Sequence, residues 1–404
     1  MKTHAWQFAA RFRRNAFGWR SGPPVQRIRE ALAEIRQVAR KEPVLAAEGA
    51  VRLLEKLSPA LMQVDSSSGA LGAAVDNAIQ ALVPVIAGAE IEPAQRQRWL
   101  ERLWQALQDD EMPYIESLAD YWGELCATPA LASRWADRFI PEVQSMWRRD
   151  DMVYGYFKGA PACLSALLAA GRYDELLALI DQKPARSWHF RRWGVQALVS
   201  MGRHAEAISY AEQFRVINDP DWQIAQVCES ILLSSGQADE AYRRYAVAAN
   251  QRGTYLAIFR AIGRKYPHKQ PEQILHDLVA STPGEEGKWF AAAKDAGLFD
   301  AATALARRSP TDPRTLTRAA RDFAGKQPHF ALAAGLAALH WLAQGHGYEI
   351  SGNDVLEAYA ATVQAADAAD EPVQQINDQI RQMIARAQPG ASFMAKVLAG
   401  HLSN

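Results

Sequence analysis

Cysteine is scarce in this 404-residue chain. Cys126, Cys163 and Cys228 are the only three, 37 and 65 residues apart, with no CxxC pair. Disulfide bonding and a structural zinc site are both disfavoured, and the expectation is three buried, reduced thiols in a cytoplasmic protein. The nine histidines form no HExxH or similar metal-ligand spacing. His340 and His346 lie six apart, a poor fit to one helical face. Net charge is also missing. The 45 basic and 45 acidic side chains cancel, so no whole-molecule charge draws the chain to nucleic acid or to a membrane. No run of roughly 18 apolar residues is free of charge, which gives the expectation of no transmembrane helix. Met1 to Arg20 breaks its aromatics with Arg11, Arg13, Arg14 and Arg20, which is not the pattern of a secretory signal. Convincing period-two alternation is absent, and with it the case for a sheet.

Motifs that carry chemistry are missing too. Gly284-Glu285-Glu286-Gly287-Lys288 lacks the four-residue gap, the Ser/Thr after Lys and the preceding strand of a phosphate loop. It reads as a capped helix start. Ser66-Ser67-Ser68-Gly69 has hydroxyls but no GxSxG elbow, and reads as helix capping after Asp65. Asp109-Asp110-Glu111, before Met112-Pro113, reads as a loop whose charge favours the next helix N-terminus. The sequence gives no catalytic, cofactor-binding or metal-binding set, so none is expected.

What is present is helical and repetitive. Gly171, Gly202, Gly236 and Gly297 are each followed by an apolar residue five places on and another four further. The pairs are Leu176 and Ile180, Ala207 and Ala211, Ala241 and Tyr245, and Ala302 and Ala306. Three of these turns place Glu175, Glu206 or Glu240 just before the first apolar position. Gly263 and Gly325 fill the gaps, giving intervals of 31, 34, 27, 34 and 28. Periods in this range are the signature of stacked helical hairpins. Helix starts are marked by a polar residue before proline at Thr128-Pro129, Asp219-Pro220, Thr282-Pro283 and Asp312-Pro313. Thr282 with Glu285 has the form of a capping box. Longer helices are expected over Pro43–Met62, Ser66–Ile86, Pro93–Leu107 and Pro129–Trp147, with further ones near Gly352–Ala368, Pro372–Ala387 and Ser392–Leu402.

The turns Gly171-Arg172-Tyr173-Asp174-Glu175, Gly202-Arg203-His204-Ala205-Glu206-Ala207 and Gly236-Gln237-Ala238-Asp239-Glu240-Ala241 resemble tetratricopeptide repeats. Ala207 and Ala241 correspond to the small residues at which paired helices approach. Leu164, Val195 and Glu229 stand where the first helix of such a repeat carries a small residue. The stretch around Glu285 to Phe290 and Gly347 to Ile350 resembles an uncharacterised bacterial helical-repeat family. The resemblance implies an all-α, right-handed α-solenoid of antiparallel hairpins, TPR-like or HEAT-like. The expected segments are a basic aromatic arm over 1–22, an irregular HEAT-like region over 23–153, hairpins over 154–345 and an acidic cap over 346–404.

Charge is unevenly placed. Met1 to Lys41 carries ten Lys/Arg against two Glu, and Arg243 to Lys269 carries seven cations and no carboxylate. Aromatics interleave with the cations. The candidate contact set is Arg186, Trp188, Arg191, Arg192, Trp193, Arg243, Arg244, Arg252, Arg260, Arg264 and Lys265. Such a set suits an acidic peptide or a nucleic acid. The competing reading is a solvated face whose counter-charges come from neighbouring repeats. The functional expectation is a non-enzymatic scaffold that binds a protein or acidic peptide. A nucleic-acid-binding repeat protein, using the same face and the arm, is the alternative, and an enzyme with an unrecognised site is the third. No membrane partner and no cofactor are expected.

Overall fold

The computed structural model describes residues 4–147, 157–182, 187–213, 221–386 and 391–402. Among them every regular element is a helix. The chain divides into two compact units, Met1–Pro220 and Asp221–Asn404. The division falls inside the stretch expected as one hairpin array. The expected helix start at Asp219-Pro220 and the array's expected beginning at 154 lie outside the described residues.

The first unit contains α1 (Gln7–Arg11), α2 (Gly22–Ala39), α3 (Pro43–Leu61), α4 (Ala70–Ala87), α5 (Pro93–Gln108), a 3-10 turn over Glu116–Tyr121, α6 (Trp122–Cys126), α7 (Pro129–Trp147), α8 (Gly159–Ala169), α9 (Tyr173–Asp181), α10 (Trp188–Ser200) and α11 (His204–Glu212). The second contains α12 (Asp221–Ser234), α13 (Ala238–Ala249), α14 (Tyr255–Lys265), α15 (Pro271–Ala280), a 3-10 turn over Glu286–Trp289, α16 (Phe290–Asp295), α17 (Phe299–Arg308), α18 (Pro313–Phe323), α19 (Pro328–Ala343), α20 (Gly352–Ala368), α21 (Val373–Arg386) and α22 (Ala391–Leu402). Consecutive helices pack as hairpins, as α12 does on α13 and α18 on α19. Alternate helices also touch, as in α14 with α16 and α18 with α20. Where alternate helices touch within a unit, one hairpin covers the apolar face of the next, the arrangement of an α-solenoid.

The repeated glycine turns share one geometry. Gly171, Gly202, Gly236 and Gly297 have φ of 71°, 73°, 73° and 75°, a left-handed conformation that costs glycine nothing. Each donates its N–H back three residues, and the next residue donates back five: Gly171 to Leu168 and Arg172 to Leu167 in the first turn, Gly202 to Val199 and Arg203 to Leu198 in the second. This is the Schellman pattern, which satisfies carbonyls left over at a helix end. The following helix then starts at once, because Arg172, Arg203 and Gln237 all have ψ between 52° and 57°.

Two details differ from expectation. Gly263 lies inside α14, with no left-handed φ; that hairpin turns after Tyr266, and Pro271 opens α15. Thr282 and Glu285 form no capping box. Thr282 Oγ1 instead accepts from Trp289 Nε1 at 2.7 Å, while Glu285 takes Lys288 and Tyr255. The Thr128 and Asp312 caps form, each accepting from a backbone N–H three residues on. A further Schellman turn occurs at Gly345, and a capping box joins Ser351 to Asp354.

Asp110 lies in the loop after α5, ahead of the 3-10 turn, as its charge suggested, but within the core. It is buried and accepts from Ser58 Oγ and from the N–H groups of Tyr114 and Ile115, which tie α3 to the loop after α5. Helix α4 is long and apolar enough to cross a membrane by length and composition. Its stripe of Leu71, Val75, Ile79, Leu82 and Ile86 is buried in this unit, where the helix packs on α2, α3 and α6. The three thiols are buried, and burial pushes Cys126 and Cys163 up to about 12.

Candidate partner-binding surface

The predicted contact residues divide sharply by burial. Trp188, Arg191 and Trp193 are interior. Arg191, at 2% exposure, donates to the carbonyl oxygens of Tyr210 and Ala211 at the end of α11. Its guanidinium therefore caps a neighbouring helix, favourably placed against the C-terminal end of the dipole. Arg96 of α5 does the same for α4, donating to Ile86, Ala87 and Ala89. The aromatic and basic residues at 188 to 193 are adjacent in sequence. Helical geometry nonetheless turns three of them into the core: Trp188 and Arg191, three apart, share one side of α10, and Trp193 is buried on another, because α10 is covered on more than one face. Arg192 stays at the rim, donating to Asp120 at 2.5 Å. Arg186 lies outside the described residues.

In the second unit, five of the seven cations of Arg243 to Lys269 meet a carboxylate, three of them one from an adjacent hairpin. Lys265 of α14 reaches Glu229 of α12 at 2.5 Å. Arg260 donates Nε and Nη2 to both oxygens of Asp295 on α16, at 2.9 and 2.5 Å. Lys269 meets Asp239 of α13 at 2.7 Å. Arg243 and Arg244 both reach Glu240 within their own helix. Arg252 lies 4.2 Å from the Trp222 ring centroid, a cation–π contact. Arg264 is exposed on the stripe shared with Arg260. The Lys265, Arg260 and Lys269 pairs span successive hairpins, so they act as links between repeats. A single sequence hides such partners, since they lie about 35 residues away, one repeat along the chain.

Glu229 is the buried anchor of this network. It accepts from Tyr266 OH at 2.8 Å and Asn250 Nδ2 at 3.1 Å besides Lys265. Tyr266 is fully buried, and burial together with Glu229 raises its phenol well above the ordinary value. A second tyrosine behaves alike: Tyr242 donates to Asp277 at 2.7 Å and its phenol is likewise raised, mainly by burial.

Sequence reasoning missed a groove between α18 and α20. It has a volume of about 450 Å³ and is lined by Asp312, Arg314, Thr317, Arg318, Arg321, Asp354 and Glu357. The residues Arg314, Arg318 and Arg321 follow one another at four and three, which sets them along one face of α18. Arg314 donates to Asp354 at 2.5 Å and holds that carboxyl well below the usual carboxylate range, with Ser351 helping. Arg318 donates to Thr315 Oγ1 at 3.2 Å rather than to a carboxylate. A larger, mainly apolar cavity of about 690 Å³ lies along α20, bounded by Leu356, Tyr359, Val363, Val373 and His401. The spacing of the α18 arginines and the helix at α20 were visible in the sequence; that the two face each other was not.

No family model and no curated protein matches the chain. Among solved structures it is similar to the crystal structure of the APC/C hetero-tetramer Cut9–Hcn1. That likeness has 10% identity over 86% of this chain and 75% of the other, with a TM-score of 0.22. The fold assignment rests on the hairpins themselves.

Proposed function

We propose that the chain is a non-enzymatic helical-repeat scaffold that holds another protein, taking an acidic segment of it along the exposed arginines of the second unit. The observation that carries this reading is the α18–α20 groove. It presents three arginines in a row, one of which, Arg318, makes no ion pair with a described carboxylate. Arginine suits this role because its planar fork meets a carboxylate through two parallel bonds. Arg264 and Arg252 are the members of the sequence-predicted set that add to the same kind of surface, being exposed and without a carboxylate partner among the described residues. Asp354 and Glu357 on the opposite wall favour a partner carrying mixed charge, with its acids toward α18.

The test is affinity purification of the full chain from its native cell, with nuclease treatment, comparing wild type with Arg318→Glu/Arg321→Glu. A defined protein that survives nuclease and is lost with the double variant supports the reading. Retention of the same protein by the variant overturns it for this groove.

A further inference from the structure

The amino-terminal segment differs from every other basic stretch in how its charge is spent. Seven carboxylates occur between residues 4 and 87. Glu30 takes Arg11 and Arg27; Glu34 accepts from the N–H groups of Gln7 and Phe8. Glu48 and Glu55 are bound by Arg102, Asp65 accepts from Ser67 N–H, and Asp76 from Ser117. Only Glu42 is left, at the far end of α2. Arg13, Arg14, Arg20, Arg29, Arg36, Arg40 and Lys41 are exposed, and none has a carboxylate partner among the described residues.

These cations are ordered in space. Arg29, Arg36 and Arg40, with Ala33 between them, follow at four, three and four, so they form one exposed stripe on α2 about 16 Å long. Arg13, Arg14 and Arg20 flank Trp19, whose side of the chain is pinned at both ends. Asn15 N–H donates to Pro59 at 2.9 Å, and Asp65 N–H donates to the Trp19 carbonyl at 2.8 Å. On this fixed backbone the Trp19 residue is 73% exposed, while Trp6, Phe8 and Phe12 are buried. The Trp19 indole, held on this backbone, therefore offers a ring face to solvent next in sequence to Arg20.

We infer that the first unit binds single-stranded nucleic acid through these exposed groups, with the α2 arginines on the phosphates and Trp19 stacked on a base. Unpaired guanidinium groups neutralise phosphate and release counterions, and a lone aromatic face accepts any base. A bilayer fits less well. The apolar face of α2 (Ile28, Ala31, Leu32 and Ile35) is buried in protein, so a single indole is all that is left to insert. A protein partner would want an apolar centre of several side chains, and here Trp19 is the one large apolar side chain exposed in this segment. The inference concerns the first unit and is independent of the groove on α18.

The experiment uses fluorescence anisotropy of labelled 20-nucleotide single-stranded DNA and RNA and the matching duplexes, titrated with the full chain at two salt concentrations. Vesicles of phosphatidylcholine with phosphatidylserine are the parallel probe. Single strands should bind more tightly than duplex. Trp19→Ala should weaken binding about tenfold, the effect of losing one stacked base. Arg29→Ala/Arg36→Ala/Arg40→Ala should lower the slope of log K against log salt by about 2. Arg318→Glu/Arg321→Glu should change nothing. All these side chains are exposed, so circular dichroism should stay that of wild type. Absence of oligonucleotide binding, binding indifferent to these variants, preference for duplex, or binding of vesicles in place of oligonucleotides would each overturn the inference.

Discussion

Removing the Glu229 carboxylate should loosen the second unit by a calculable amount. Glu229 is 1% exposed and takes three donors: Lys265 Nζ, Tyr266 OH and Asn250 Nδ2. In Glu229→Ala, the Tyr266 hydroxyl and the Asn250 amide lose their acceptor inside the protein. Each unsatisfied buried donor costs about 1–3 kcal/mol. Lys265 is only part-buried and turns to water, and Asn250 keeps a bond to the Ala246 carbonyl at 2.7 Å, which offsets part of the loss. The expected total is about 3–5 kcal/mol, the usual range for breaking a buried pair by deleting one partner. Glu229→Gln keeps an acceptor for Tyr266 and loses only the charge, for about 1–2 kcal/mol. Adding Tyr266→Phe to Glu229→Ala should recover about 1 kcal/mol or more, since the stranded hydroxyl is gone. Native-state hydrogen exchange of amides in α12, α13 and α14 reads the opening free energy of this region, whatever the first unit does. A loss under about 1 kcal/mol in Glu229→Ala, or no recovery in the double variant, would refute the account of Glu229 as the shared acceptor.

Three other outcomes are expected. Cys126 and Cys163, with thiols held up at about 12, should stay silent to Ellman's reagent at pH 8 in the native protein and react on denaturation; prompt native reaction of either would contradict their burial. Tyr242 and Tyr266 have folded-state values above the ordinary 10.0, so they stabilise the fold fully below pH 10 and lose that contribution as pH rises further. Denaturant midpoints should therefore fall above pH 10 in wild type and fall less in Tyr266→Phe, a difference that spectrophotometric titration at 295 nm can follow. Ala241→Leu, at a position with no exposed surface where α12 and α13 meet, should cost about 1–3 kcal/mol in urea unfolding, and an unchanged midpoint would place Ala241 outside that contact.

The sequence carried the fold further than the site. Glycines at 171, 202, 236 and 297 announced their turns because only glycine takes φ near 70° without strain, and that need is local. Gly263 misled because a glycine also tolerates a helix interior. Pro129 and Pro313 marked helix starts for an equally local reason. The contact set differs in burial and pairing from residue to residue: Trp188, Arg191 and Trp193 are covered by neighbouring helices, and neutralisation of Arg260 and Lys265 depends on residues one hairpin away. The packing of Trp6 against Gly49 was equally out of reach: a Cβ at Gly49 would lie 2.3 Å from the indole, a constraint between segments over 40 residues apart.

The turns at Gly171, Gly202 and Gly236 are alike in φ, in hydrogen bonding and in the conformation of the residue that follows. They are therefore interchangeable joints. A gene cut at one and rejoined at the next loses or gains a whole hairpin and leaves the same seam behind. The backbone at the seam registers no change, and only the side chains that reach across repeats, Arg172 to Asp137 among them, must find new partners.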